Sequence, residues 1–564
     1  MPEITDKAAD ARRANSSEGP AAQPPARGHA GWRGRVAWTA GIAVAAVVLS
    51  WCYILQARTQ VANSDGAGMA LQGWDMLHGN ILLRGWWTPD VNFYTFEIPI
   101  DALVIAVRGL SADVVHVTAG IVYALLVLAA ALLARGTARG RAGVVRALLA
   151  AGIMIAPGLD EGTRVLLGSP DHVGVGVPIL LTLLLVDRAR ERWLVPVAVC
   201  VLLVWAQLDD PMAEFAAALP VALVCLARAC VSLRRHGWRD RTWRYDAGLA
   251  VAAAVSYELT QIAVHAIRAA GGFSMQSLSK ATTHVPPSQW AAQLLHTGQN
   301  ALLLFGADYF SQSGSLLKAI AILHLAGAAL ALAGLLAGIA AVLRGGDRVT
   351  QVLTIGVLVA LGAGAFATSM QPGYDAHEIA VVLPFGAVLA GRTVGPWLLR
   401  RELSRLARSA AASVLAVIAA CYLAVLGYSA SQPSVPATTQ SLAGFLAEHD
   451  LTSGIGMYWS ANITTAASDW HVRVIPAMPG PASPYAWLTR PSWYDPDEYS
   501  ANFVLAGTDP ASSSTYLVKT VLREFGRPAL EYKYDGYVIM VYDRNLLRDM
   551  HRPVQPTPDL GARL

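Results

Sequence analysis

Eleven apolar runs constrain this chain more than anything else in it. They lie at about 36 to 55, 114 to 134, 144 to 157, 172 to 186, 193 to 208, 212 to 231, 246 to 267, 319 to 343, 351 to 370, 378 to 397 and 410 to 429. A run of about 20 residues, rising 1.5 Å each, crosses a hydrocarbon core about 30 Å thick. No water is available there, so every backbone amide must bond within its own segment and the runs must be helices. The expected fold class is therefore mainly α, a polytopic membrane helical bundle of about eleven spans. Composition agrees: 54% of the residues are hydrophobic and 15% charged, against about 25% charged in a soluble domain. The lipid bilayer is an expected partner and nucleic acid is not. All five cysteines fall inside apolar runs with no CxxC pair, so they read as core filler.

Basic residues alternate along the chain. Arg33 and Arg35 precede the first run, and Arg135, Arg139, Arg188, Arg192, Arg234, Arg235, Arg344, Arg400 and Arg401 fill alternate loops. The loops between them keep Arg58, Arg84, Arg108, Arg164, Arg268, Lys280 and Lys318. This is the positive-inside distribution. It makes residues 1–35, which have no apolar periodicity, a disordered cytoplasmic tail, and 36–432 the membrane domain. The first run has no cleavage site and should stay as a signal anchor. An odd number of spans places 433–564 outside the cell membrane.

The first outer loop, 56–112, carries the stretch from Asn63 to Asp101. It is too polar to span a bilayer, yet its Trp, Tyr, Phe, Leu and Met let it lie against one. Its five acids are Asp65, Asp75, Asp90, Glu97 and Asp101, and the stretch reads as the floor of an outer-face site. "NSDGAGMALQGW" has the pattern of a surface helix. Ser64 or Asp65 suits its cap; alternatively Asp65, half withdrawn from water, is a general base with a raised pKa. Asp75 reads as solvated.

Other acids gather at the same rim. Asp160, Glu161, Asp171 and His172 sit in one loop with Arg164, in a pattern that suits a divalent metal, a leaving phosphate, or two helix caps. Asp209-Asp210-Pro211 reads as a cap. Tyr374, Asp375, His377 and Glu378 open the tenth span, where His377 suits a proton carrier, an anion contact or an interfacial anchor. Within the seventh span Glu258, Gln261 and His265 share one helical face, as a functional group or as partners for a neighbouring helix. The loop 268 to 311, with Lys280 and His284, is long enough for a lid.

After about 433 the pattern changes. "LAGFLAEHDL", "NITTAASD" and "STYLVKTVLREFG" read as helices, the last closed by Gly526. "GIGMYW", "VRVIPAMP", "NFVLAG", "ALEYKY" and "YVIMVYD" read as strands. This is one small α/β domain.

A cytoplasmic amino terminus, an Asp in a long aromatic first outer loop, acids at later rims, the "Tyr-Asp-Ala-His-Glu…Leu-Pro…Gly-Arg" span and an extracytoplasmic α/β tail together resemble the GT-C superfamily of polytopic glycosyltransferases. Two features differ: the first loop has a lone Asp where several members carry an acidic pair, and Tyr-Asp-Ala-His stands where Arg-Tyr is common. The resemblance implies an enzyme moving sugar from a polyprenyl-phosphate donor to a glycan, lipid or protein acceptor in the cell envelope, with Asp65 as catalytic base. It implies that Asp160, Glu161, Asp171 and His172 handle donor phosphate or a divalent cation. Charge on the leaving phosphate would fall to Arg164, His172, Lys280 or His377. The alternatives are a non-catalytic assembly protein, which would tolerate loss of Asp65, and a transporter of envelope precursors, for which Glu258 and His265 are the mid-span groups. Whether Asp65, Asp171 and His377 converge on one cavity is the point on which a structure can decide between these readings.

Overall fold

The structure is a computed structural model describing residues 30–239, 242–275, 285–367, 370–399, 404–435, 438–479, 482–512 and 515–551. Two compact units divide the chain, one ending at Val47 and the other running Val48–Leu564. Packing and sites are described for the second.

Among the described residues, eight helices are long and apolar enough to cross a membrane: Val36–Ala57, Asp113–Arg135, Glu214–His236, Thr242–Ala269, Ser315–Arg344, Arg348–Phe366, Ala376–Leu398 and Arg405–Ser431. Three shorter helices, Gly140–Met154, Gly176–Arg188 and Leu194–Asp209, fall on the remaining runs. The chain is a multi-pass membrane protein. Asp113–Arg135 and Ala376–Leu398 are the most buried spans, and Tyr123, Leu126, Phe385 and Leu389 from them fill the bundle core. At the end remote from the carboxy-terminal domain, Arg392 binds Asp187 at 2.7 Å and Asp347 at 2.8 Å.

The first loop folds into two helices, Ser64–Leu77 and Glu97–Arg108, joined by an irregular stretch holding strand β1, Trp87–Thr88. Beta1 pairs in parallel with β2, Ser274–Met275, and Trp87 also bridges Thr489 of the carboxy-terminal domain. That domain opens with the helix Thr438–Glu448. Its strands are β3 Ser453–Gly456, β4 Arg473–Met478, β5 Ser483–Pro484, β6 Phe503–Gly507, β7 Tyr516–Leu517, β8 Leu530–Tyr534 and β9 Tyr537–Val541. They run in the order β5-β4-β3-β6-β9-β8, with β7 beside β6. Beta3 is parallel to both β4 and β6, while β9 is antiparallel to β6 and β8. Asp535 and Gly536, at φ 47° and 81°, make the tight β8–β9 turn.

Two local expectations fail. "GIGMYW" is a strand only to Gly456, because Met457 turns the chain into the helix Tyr458–Ala467. The long loop after Ala269 contains the helix Trp290–Leu304, whose Asn300 binds the Gln371 and Gly373 backbone, so its described part packs on the bundle. Lys280 and His284 lie outside the described residues.

The first loop and the carboxy-terminal domain share one core. Met69, Leu71, Trp86 and Ile98 from the loop pack with Ile455, Ile463 and Val504 from the domain, all buried. Burying such side chains is worth about 1.5–3 kcal/mol each, so the domain is fastened to the loop by apolar contact rather than tethered beside it.

Candidate active site

Asn63, not Ser64 or Asp65, caps the helix Ser64–Leu77: its side chain accepts from the Gly66 amide at 2.8 Å. That leaves the Asp65 carboxyl free, and it points into a cavity of about 180 Å³. A bulkier residue at Gly68 would strike Leu488, so this glycine sets how closely the carboxy-terminal domain approaches Asp65. From that domain, the Tyr458 hydroxyl donates to Asp65 Oδ1, and Trp487 is a second donor to the carboxylate. Burial, then the neighbouring Asp171 charge, raises the Asp65 pKa to about 7, with the two donors acting against the rise.

The cavity joins Asp65, Asp90, Asp171, His172, Asp210, His377 and Glu378, with Val91, Phe93, Met212, Phe215, Trp487 and Leu488 as apolar walls. Asp65, Asp171, His172 and His377, expected from the sequence to carry the site, therefore line one space. The rest separate. Asp160 is exposed, and Glu161 is paired with Arg164 at 2.5 Å. Arg164 donates to the Gly373 carbonyl and lies over the Tyr374 ring, outside the lining. Glu258 and His265 are exposed on the flank of their helix, and the His265 ring bonds its own Gln261 carbonyl. Among the described residues neither meets a neighbouring helix as a partner, which corrects that expectation. Asp75 is also corrected: it is not solvated but accepts from Trp86 Nε1 at 2.8 Å and Asn80 Nδ2 at 2.6 Å, with Arg490 at 3.4 Å.

His172 is the cation of the cavity. It lies in the loop before Gly176–Arg188 rather than within the span, and its Nδ1 meets Asp210 Oδ2 at 2.8 Å. Burial opposes its charge, but Asp210, Glu378 and Asp171 outweigh burial and raise its pKa to about 10. Its ring stacks on His377 at 5.5 Å between centroids. Beside it one Asp171 oxygen accepts a hydrogen bond from the Ser169 hydroxyl, its other oxygen is buried with no partner among the described residues, and burial pushes its pKa up.

Asp209 and Asp210 are not simple caps. Asp209 Oδ1 accepts the Thr95 and Phe96 amides at 3.0 and 2.8 Å, and its backbone carbonyl accepts from Phe93. One dipeptide thus grips the first loop with Asp209 and His172 with Asp210. Glu97 sits against Asp209, fully buried, and burial followed by the Asp209 charge drives its pKa well up. Gly174 faces Glu97 so closely that no side chain fits there.

Three lining residues, Phe93, His172 and Leu488, hold left-handed backbone at φ 51°, 52° and 48°. Non-glycine residues adopt this region at a cost of order 1–3 kcal/mol, and such strain collects where a site needs side chains aimed. Sequence reading missed Tyr458, Trp487 and the roles of Glu97 and Asp209. Only the Asp-Asp-Pro triplet offered a signal.

No family model matches the chain, and neither does any curated protein. Solved structures do. ArnT from Cupriavidus metallidurans in the apo state aligns over 90% of this chain and 98% of that one, with TM-score 0.50 and 15% identity. ArnT from the same organism bound to undecaprenyl phosphate aligns over the same shares at 0.48 and 14%. The oligosaccharyltransferase AglB from Archaeoglobus fulgidus, in complex with an inhibitory peptide and a dolichol-phosphate, aligns at 0.47 and 15%, over 79% of this chain. This chain spans only 65% of the AglB chain. At such identity the likeness is one of fold alone: this chain has the fold of ArnT from Cupriavidus metallidurans in the apo state.

Proposed function

We propose that this protein is a membrane glycosyltransferase that moves a sugar from a polyprenyl-phosphate donor to a cell-envelope acceptor, with Asp65 as general base. The observation that carries the reading is the convergence of Asp65, Asp171, His172 and His377 on one cavity between the bundle and the carboxy-terminal domain. A bond forms between the acceptor oxygen and the sugar's anomeric carbon, the bond from that carbon to the lipid phosphate oxygen breaks, and the hydroxyl proton passes to Asp65. A carboxylate with a pKa of about 7 is matched to that task near neutral pH. The departing phosphate gains charge, and the His172 imidazolium, held in place by Asp210, is oriented to receive it. A lipid carrier suits the geometry because its tail can stay in hydrocarbon while its head enters the cavity. The basic loops support a cytoplasmic amino terminus and an extracytoplasmic carboxy-terminal domain.

A divalent cation also fits. Ligand atoms of His172, His377 and Glu378 lie within 4.8 Å of one another, and Asp171 keeps an orphaned buried oxygen beside them. These residues would hold such an ion in place of the imidazolium proton, with the His172 ring neutral and its Nδ1–H on Asp210, and the ion would add positive charge near the donor phosphate.

The test is purified protein in vesicles with polyprenyl-phosphate-linked pentose and hexose donors, together with the cell-envelope glycan profile of Asp65→Asn cells. Sugar release by the wild type, and glycans lost in the variant at normal expression, support an enzyme. Preserved glycans in that variant would overturn it in favour of a scaffold.

A further inference from the structure

The end of the bundle remote from the carboxy-terminal domain holds a second cavity, of about 550 Å³, among the helices Leu219–His236, Thr242–Ala269, Ser315–Arg344 and Arg348–Phe366. Three arginines, Arg228, Arg235 and Arg344, line it against one carboxylate, Asp246. That carboxylate is already engaged, since Arg348 Nε lies 2.5 Å from its Oδ1. Arg228 comes no nearer to the other oxygen than 3.5 Å. It donates through Nη1 to Gly346 and Gln351, while its buried Nε makes no hydrogen bond among the described residues. Neither Arg235 nor Arg344 has a carboxylate partner among the described residues.

Basic residues in the last turns of Leu219–His236 and Ser315–Arg344 also offset the helix dipoles, which accounts for their presence there. It does not account for three arginines gathered around one carboxylate that Arg348 already binds. The remaining wall is apolar and open to the flank of the bundle: Leu223, Val231 and Leu343 are 49, 46 and 82% exposed. Next to it Trp238, 70% exposed, meets Trp243 edge-on, an aromatic pair of the kind that marks headgroup depth.

We infer that this cavity binds the headgroup of an anionic phospholipid, its phosphate among Arg228, Arg235 and Arg344 and its acyl chains along Leu223, Val231 and Leu343. The chemistry asks for both parts. A phosphate alone matches the arginines, but only a lipid covers the apolar wall, and basic pockets between spans at this depth select anionic headgroups. The site lies at the opposite end of the bundle from the cavity of Asp65, so the inference does not depend on the catalytic reading.

Native mass spectrometry of the full chain, titrated with phosphatidylglycerol and with phosphatidylcholine, tests it. The wild type is expected to retain the anionic lipid on the order of tenfold more tightly, and Arg235→Ala/Arg344→Ala to lose that preference while melting at an unchanged temperature. Excess inorganic phosphate should not displace the lipid. Equal retention of the two lipids by the wild type would overturn the proposal, as would a preference that survives in the folded double variant. Displacement by inorganic phosphate would leave an anion site and overturn the lipid. If the double variant fails to fold, Arg344→Gln alone is scored in the same way.

Discussion

The hydroxyl of Tyr458, at the start of a helix in the carboxy-terminal domain, donates to Asp65 near the start of the first loop, across 393 positions of sequence. The bond favours the ionised carboxylate, so it opposes the burial that raises the Asp65 pKa to about 7. Tyr458→Phe removes that support and leaves Trp487 as donor. The acid limb of the pH–rate profile should then move to higher pH by about one unit, the equivalent of one hydrogen bond to a charged group. Transfer near neutral pH falls several-fold and recovers as pH rises. Initial rates across pH 6 to 9, with about that range set by the pKa in question, measure it; a limb that stays in place would show the bond to be structural only.

Asp65→Asn separates activity from stability. On the proposed reading, losing Asp65 as general base lowers transfer by about 10²–10⁴-fold. Stability moves the other way. The folded chain keeps the Asp65 proton up to about 7, whereas the unfolded chain releases it near 3.8. Stability therefore falls as pH rises between those values. The Asn variant has no such loss, so its melting temperature relative to wild type should climb between pH 4 and pH 8, about the window those values define. A constant difference across that range would count against a buried Asp65.

For His172 the sign is reversed. Its folded pKa is raised from 6.5 to about 10, so its contribution to stability is complete below 6.5 and disappears as pH climbs through about 10. Asp210→Asn removes the hydrogen-bonded counter-ion. The decline in melting temperature across this window should flatten, and affinity for a polyprenyl phosphate should weaken on the order of tenfold, or about 1.4 kcal/mol. Thermal melts and lipid titration at two pH values read both.

Glu97 sits against Asp209 as a second buried carboxyl, and burial followed by the Asp209 charge drives the Glu97 pKa well up, which favours its protonated form. A neutral amide can replace it. Glu97→Gln should change stability by less than about 0.5 kcal/mol, since it still offers a donor to Asp209. Glu97→Ala should cost about 2–3 kcal/mol through the void and the abandoned carboxylate. Chemical denaturation of the two variants distinguishes this shared proton from a pair of solvated acids, for which both changes would be mild.

What the sequence made legible follows from what each residue has to do alone. Apolar runs report their own burial, and Asp65 stands out as an acid near the start of an interfacial helix. His172 was harder to place: the apolar run seemed to begin there, but the helix begins at Gly176, and the intervening residues turn through Asp171 and His172. Asp209 and Asp210 look like caps because acid-acid-proline suffices for one, and their grip on Thr95, Phe96 and His172 exists only in three dimensions. Tyr458 gave no sign. It follows the carboxyl end of the parallel strand β3, where open α/β sheets place their binding residues, but an aromatic after "GIGM" extends a strand pattern equally well. Glu258 misled for a geometric reason. Its helix of 28 residues is about 42 Å long, against a hydrocarbon core of about 30 Å, so hydropathy alone does not assign that residue a depth.

Because Asp65 obtains its hydrogen-bond donors from Tyr458 and Trp487, the proposed reaction centre is unfinished while the chain is still being synthesised. The membrane helices can insert one after another, but the carboxylate stays without its partners until the ribosome has passed codon 487 and the sheet has closed around them. A product ending before Tyr458 would carry the first loop without either donor, so the proposed activity needs the carboxy-terminal domain as well as the membrane helices.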